Sequence, residues 1–397
     1  MDVVDKTNAV ADIPRKYSHI FRRKTRWELV LLSGAVCGIE FCYAAETAFI
    51  GPILLELGMP ISAVALAMCL SPSLGFFVTP LLGSLSDTCS WRIGRRRPFI
   101  ILLSVGMFAG LLLVPNGKEI GLALGDSYKP RNMSLTDEEG SGVQPANWGI
   151  TFTVIGFVFL DMCCDACQSP SRSYVLDVTI PSDHARALTT FTVLSGLGGG
   201  LGYVMGGINW EETAMGTSMG GHVKTVFAIV IVLFIVCVLG TLTSFREMPL
   251  AIARQAEAAG LFENQDDHYV GFKNEDSDAE SLELTKLGSS AKLVEPEGAT
   301  PTLKTYLRSI VFMPKSLRIL CLTNLFCWMS LVSYSLFLTE FVGAVVYEGD
   351  PMAPKESESF ELYQEGVRLG CFGLAIDSVT CAAYSLFIER LVHRFGK

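Results

Sequence analysis

The sequence has few charged residues for its length and no apolar leader at its amino end. Only 18% of its 397 residues are charged and half are hydrophobic, whereas soluble domains carry about 25% charged residues. This composition excludes an ordinary soluble protein and predicts a polytopic membrane protein. The first 26 residues lack the hydrophobic core of a signal peptide, so we expect the first apolar segment to be a retained anchor.

Hydropathy predicts eight apolar spans. They lie near residues 28–49, 61–85, 98–115, 147–168, 187–209, 223–245, 317–345 and 366–388. Clusters of arginine and lysine precede the first span, follow the second and end the chain, and eight spans place all three clusters on one side. The positive-inside rule makes that side, and both termini, cytoplasmic. Asn132, in an Asn-Met-Ser triplet of the loop at 116–146, is a predicted glycosylation site on the other side.

Disulfide and metal chemistry are not expected. None of the 12 cysteines falls in a predicted non-cytoplasmic loop, where oxidation would occur, so the sequence predicts no disulfide framework. Cys163, Cys164 and Cys167 lie next to Asp165 and could form a metal site, but small side chains packed between helices are the ordinary explanation. We expect no metal, no cofactor and, without a nucleophile and base pair, no enzyme activity.

Six carboxylates interrupt the apolar spans. They are Glu40, Glu46, Asp161, Asp165, Glu340 and Asp377. An acid at mid-membrane costs about 2.5 to 3.5 kcal/mol, so six uncompensated acids would exceed a typical net stability of about 5 to 15 kcal/mol. Apart from those that lie at helix ends in the interface, these acids must be protonated, paired with a cation or open to a watery cavity.

Residues 246–315 have a different composition. Between residues 257 and 297 there are eleven acids and three bases, a balance of −8 that nearly accounts for the formal net charge of −9. We therefore predict a disordered acidic cytoplasmic linker. It separates a cytoplasmic amino terminus (1–27) and a six-helix unit (28–245) from the first two helices of a second unit (316–397). This layout is typical of transporters with two repeated halves around a midplane site.

The loop after the second span carries the most specific motif, GSLSDTCSWRIGRRRPFI. Its candidate functional residues are Gly83, Asp87, Gly94, Arg95, Arg96 and Arg97. We expect Gly83 to allow close helix approach and the arginines to form a cytoplasmic latch through charge-assisted contacts beside Asp87. Topology alone would explain the arginines but not the Gly-x-x-x-Asp spacing before them.

The motif resembles the loop signature of the major facilitator superfamily. Its Arg-Arg-Arg-Pro-Phe form is similar to the branch that contains plant sucrose:proton symporters and the animal proton-associated sugar transporters of solute carrier family 45. The resemblance implies an all-α membrane fold, the major facilitator fold, with eight of an expected twelve spans present. We therefore expect a fragment or a truncated product.

The fourth span ends in LDMCCDACQSPSRSYVLDV, which places Asp161, Asp165, Gln168 and Arg172 on one helical face. Four polar groups in one stripe require a cavity or partner helices, and Pro170 weakens the helix there. In the resembled family this stripe holds the proton-binding aspartate, here Asp161, and an arginine that organises substrate and carboxylate, here Arg172. The alternative is a purely structural ion-pair network.

The first and seventh spans supply the other candidates. Glu40, Tyr43 and Glu46 are three residues apart, so the two glutamates point about 120° apart on a helix. They could add a second proton site or bind sugar hydroxyls. Asn324 and Trp328 are candidate sugar contacts, although interface or core positions are equally consistent with their types.

The sequence thus predicts a proton-coupled symporter for a sucrose-like disaccharide or a hexose, working by alternating access. The predicted proton-coupling residues are Asp161, Asp165 and Glu46, and the predicted substrate-binding residues are Glu40, Tyr43, Gln168, Arg172, Asn324 and Trp328. Its expected partners are sugar, protons and the lipid bilayer of the plasma membrane or an acidic vesicle, with no nucleic acid. The alternative is a truncated, non-transporting protein that regulates a full-length carrier.

Overall fold

The computed structural model describes residues 15–91, 93–126, 147–258, 313–354 and 357–395. All regular secondary structure within these ranges is helical. The helices are α1 (Arg26–Leu32), α2 (Gly34–Glu56), α3 (Ile61–Thr88), α4 (Arg97–Ala123), α5 (Asn147–Asp177), α6 (His184–Gly207), α7 (Ala214–Met219), α8 (His222–Ser244), α9 (Leu250–Ala258), α10 (Lys315–Phe341) and α11 (Glu358–Phe395). Eight of the described helices are long and apolar enough to cross a bilayer. The predicted all-α fold with eight spans is therefore confirmed.

The first span begins at residue 34 and not at the predicted residue 28. Residues before it form the separate helix α1, which starts at a capping box between Thr25 and Glu28 and ends at Ser33. Capping of this kind satisfies the free N–H groups of a helix start. Because the residues on both sides of Ser33 are apolar, hydropathy does not reveal the break.

Helix α2 is the most deeply buried of the long helices, since it packs against α5, α6 and α8. Small residues permit these contacts. A Cβ at Gly202 of α6 would lie 2.6 Å from the Cβ of Ala44, and one at Gly198 would lie 2.7 Å from the carbonyl oxygen of Cys37. The glycine run of α6 therefore has a packing role, and α2 is fixed at the centre of the bundle.

The last two long helices pack on the first six at restricted places. Helix α11 lies along α6, where a Cβ at Gly196 would be 2.7 Å from Ala382. Helix α10 contacts α2 only near its carboxyl end and is otherwise exposed. Helix α9 falls within the segment predicted as a disordered linker. Residues 259–312 of that segment lie outside the described residues, as does Asn132.

Candidate functional site

Polar side chains from α2 and α5 meet in the interior of the bundle, and we call this set the acidic cluster: Tyr43, Glu46, Asp161, Asp165 and Gln168. The hydroxyl of Tyr43 donates a short hydrogen bond to Oδ1 of Asp165. The Nε2 of Gln168 in turn donates to the Tyr43 hydroxyl oxygen at 3.4 Å. The structure thus brings together residues that were predicted separately on two spans.

The carboxyl groups of Glu46 and Asp161 adjoin each other across the same helix pair. Glu46 is only 4% exposed, and its Oε2 has no hydrogen-bond partner in the described part of the chain. No described lysine, arginine or histidine forms an ion pair with either group. Asp161 is half-buried. Two adjoining carboxylates in the interior without a cation cannot both be ionised at low cost, but they can share a proton.

Glu40 belongs to a different face of α2, as its predicted angle to Glu46 requires. It accepts a hydrogen bond from the hydroxyl of Ser195 on α6 at 2.7 Å. A Cβ at Gly199 would be 3.8 Å from the other Glu40 oxygen. Glu40 is therefore held at the α2–α6 contact, whereas Glu46 faces α5.

Arg172 does not join the acidic cluster. It lies eleven residues beyond Asp161 on α5, about 16 Å along a helix. Its guanidinium is exposed and sits 5.4 Å from the ring centroid of Phe191. It forms no ion pair with a described carboxylate, so its expected role as a partner of Asp161 finds no contact in this conformation.

The remaining candidates in the spans are dispersed. Asn324 and Trp328 are exposed on α10, and no contact joins either to the acidic cluster among the described residues. Asp377 is exposed on α11. Glu340 is buried, at 8% exposure, where α10 meets α2. The substrate-binding roles of Asn324 and Trp328 remain predictions.

A second polar site lies at the end of the bundle that carries Arg95, Arg96 and Arg97, which we call the arginine end. Arg95 donates two hydrogen bonds to Asp177, at 3.0 and 2.5 Å. Arg96 forms ion pairs with Asp87 and, at 3.2 Å, with Asp177. These contacts join the ends of α3 and α5 to the loop before α4, in the manner of the predicted latch.

Glu247, which follows α8, completes this arginine network. Its two carboxylate oxygens accept from the backbone N–H of Arg96 at 3.0 Å each, and one accepts from that of Arg97 at 3.4 Å. Glu247 is 2% exposed, and burial raises the pKa of its carboxyl group despite these backbone donors. The arginine network therefore spans the ends of α3, α4, α5 and α8, and its role as a latch stays a prediction.

The glycines of the motif have unequal roles. Gly94 has a φ of +128°, and a Cβ there would lie 2.2 Å from Oε2 of Glu247, so only glycine fits this turn. A Cβ at Gly83 would approach nothing closer than the Ser169 hydroxyl at 3.9 Å. The expected close approach at Gly83 is therefore not observed.

Sequence reasoning missed Glu247 as a member of the arginine network. A signal was available, since Glu247 is a single acid between the end of an apolar span and a proline, in the stretch FREMPL. Asp177 was part of the motif in the fourth span but was not connected to the arginines. Nothing in the sequence pairs Ser195 with Glu40.

The segment before α1 also packs on the arginine end. Tyr17 and Ile20 are buried, and His19 donates through Nε2 to the carbonyl oxygen of Arg246 at 2.7 Å. Burial lowers the pKa of His19, and nearby cations, among them Lys24, lower it further. Burial also lowers the pKa of Lys24 to about 8. The amino-terminal segment is thus tied to the residues after α8.

Comparison with known proteins identifies the class of this fold and site. Residues 53–265 match the family model described as MFS/sugar transport protein. The membrane-associated transporter protein of Mus musculus is 34% identical over 94% of this chain and 69% of its own length.

Two further relatives are more distant in identity. The proton-associated sugar transporter A of Homo sapiens is 28% identical over 91% of this chain and 68% of its own length. Solute carrier family 45 member 3 of Homo sapiens is 30% identical over 94% of this chain and 61% of its own length. The protein is thus a multi-pass membrane protein of the transporter class. It belongs to the major facilitator superfamily, in the branch of solute carrier family 45.

Proposed function

We propose that the protein is a proton-coupled sugar symporter that works by alternating access. The observation that carries this proposal is the pair of adjoining carboxyl groups of Glu46, which is buried, and Asp161, which is half-buried, between α2 and α5. No cation among the described residues forms an ion pair with either group. Membership of a sugar-transport family supports sugar as the solute, and the name of the human proton-associated sugar transporter A supports the proton.

The acidic cluster supplies groups for proton coupling and for sugar binding. A proton on the Glu46 and Asp161 pair neutralises buried charge, so the protonated pair tolerates a closed, water-poor site. Loss of that proton leaves an ion that favours contact with water and hence an open site. Protonation therefore biases the equilibrium between the two access states, as the binding of any ligand with unequal affinity does.

The neighbouring polar groups provide hydrogen bonds for sugar hydroxyls. Tyr43 and Gln168 offer donors and acceptors beside Asp165, and Glu40 offers a carboxylate beside Ser195. A sucrose-like disaccharide or a hexose presents hydroxyls that such groups bind. In this proposal the arginine end is cytoplasmic, and the membrane is the plasma membrane or that of an acidic vesicle.

Uptake of radiolabelled sugar tests the proposal. The protein should be reconstituted into vesicles, and sucrose and glucose uptake measured at an acidic and a neutral outside pH. We expect faster uptake at acidic pH, and we expect Asp161→Asn to abolish that dependence. Asp377→Asn is the matched control, because Asp377 is also an aspartate of an apolar span but is exposed. Uptake that is insensitive to pH and to Asp161→Asn would refute proton coupling.

A further inference from the structure

One contact joins α10 to the first six-helix unit through a hydrogen bond in the interior. The hydroxyl of Thr339 donates to the carbonyl oxygen of Ala48 on α2 at 3.3 Å. Thr339 is fully buried. The side chain of the next residue, Glu340, places an oxygen 3.6 Å from where a Cβ of Gly51 would lie. This contact lies toward the end of α2 that is remote from the arginine end.

The accepting carbonyl is free for a specific reason. Residue 52, four positions after Ala48, is a proline within α2. Proline has no N–H, so the helical hydrogen bond to the carbonyl of Ala48 is absent. A carbonyl in a membrane helix that loses its backbone donor must find another partner, and threonine side chains of neighbouring helices serve this purpose. Thr339 is that partner, so Pro52 and Thr339 form a matched pair.

We propose that the Thr339 hydroxyl and the Ala48 carbonyl form a gate contact that closes the end of the bundle remote from the arginine end. When α10 moves away from α2, water can replace the threonine hydroxyl at the carbonyl of Ala48. The carbonyl of Ala48 is therefore hydrogen-bonded in both states, to Thr339 in the closed state and to water in the open state. Neither state leaves a buried polar group unpaired. Gly51 allows the backbone of α2 to lie against Glu340 in the closed state.

This inference goes beyond the proposed function, because it requires neither a sugar nor a proton. Its test is likewise independent of transport. A cysteine probe at Ile53, which lines the cleft beside Pro52 and Phe360, should be labelled in membranes with a membrane-impermeant maleimide, and its labelling rate followed by mass spectrometry.

Thr339→Val keeps the shape of the side chain and removes the donor. We expect it to raise the labelling rate of the Ile53→Cys probe by about two- to tenfold, the factor that corresponds to one neutral hydrogen bond. Thr339→Ser retains the hydroxyl and should label like the parent. Thr323→Val is the matched control, since the Thr323 hydroxyl donates to the carbonyl of Ile319 on its own helix at 3.0 Å and to no other group in the described part of the chain.

Replacement of Pro52 provides a second, independent test. In a Pro52→Ala background, residue 52 donates to the carbonyl of Ala48 itself, so Thr339→Val should change labelling by less than about 1.5-fold. Equal effects of Thr339→Val in the two backgrounds would overturn the pairing of Pro52 with Thr339. If the Ile53→Cys probe is labelled at the same rate in Thr339→Val and in Thr323→Val, the gate proposal is overturned. Parent-like labelling in the double variant with Pro52→Ala and Thr339→Val would show that the change in Thr339→Val alone is not general misfolding.

Discussion

Replacement of Glu247 by glutamine should break the arginine network at its most buried point. Glutamine has the size of glutamate but carries an N–H₂ group in place of one oxygen. In the protein both oxygens of Glu247 accept from backbone N–H groups. Glutamine can satisfy these donors with one oxygen only, and it directs its own donors at the rest.

The size of the loss follows from burial. Glu247 is 2% exposed, and a hydrogen bond to a charged group contributes about 1.5 to 3 kcal/mol. Asp87 pairs with Arg96 in the same network, but its side chain is 61% exposed, and an exposed pair contributes less than about 1 kcal/mol. Glu247→Gln should therefore destabilise the protein several times more than Asp87→Asn.

Two measurements on purified protein check this. Thermal unfolding in detergent reports stability, and maleimide labelling of the native Cys89, at the end of α3 two residues after Asp87, reports opening of the network. We expect a lower melting temperature and faster Cys89 labelling in Glu247→Gln, and small changes in Asp87→Asn. Equal losses in the two variants would refute the assignment of Glu247 as the central acceptor.

Three further predictions concern particular residues, and each is checked by thermal unfolding of the purified protein. Gly125→Ala should lower the free energy of unfolding by about 1 to 2 kcal/mol, since the φ of Gly125 is +102° and the space around it is open. Gly94→Ala should lower it more, because a Cβ at Gly94 collides with the carboxylate of Glu247. Similar losses would contradict the collision. Gly202→Ala should lower the free energy of unfolding by about 1 to 3 kcal/mol, since its Cβ would lie 2.6 Å from a side chain of α2. An unchanged melting temperature would contradict that close packing. The pKa of His19 lies below its usual 6.5 in the folded protein, so the unfolded chain binds more protons just below that pH, and stability should fall as pH drops below 6.5. His19→Gln should weaken this fall, and an identical pH profile would contradict it.

The sequence predicted the membrane architecture because hydrophobicity is a local property. Eight apolar spans are visible in any window of about 20 residues, and all eight correspond to helices of the structure. The position of the first span was displaced for the same reason, since a window averages over the break at Ser33. The capping box of Thr25 and Glu28 marks where α1 starts and does not indicate that break.

The sites were predictable only as far as spacing on one helix determines them. Helical periodicity placed Asp165 and Gln168 on one face, and both reach Tyr43. Contacts between helices depend on their relative rotation and depth, which no single span encodes. For this reason the pairing of Thr339 with Ala48 was not predicted, and neither was the absence of an ion pair at Arg172.

The central claim is that proton movement accompanies sugar movement through the acidic cluster, and a direct measurement of proton flux tests it. The protein should be reconstituted into liposomes that contain a pH-sensitive dye, and sugar added outside without an imposed pH gradient. The account predicts acidification of the lumen upon sugar addition, its loss in Asp161→Asn and its retention in Asp377→Asn. Sugar accumulation without any proton movement, or equal proton movement in both variants, would contradict the account.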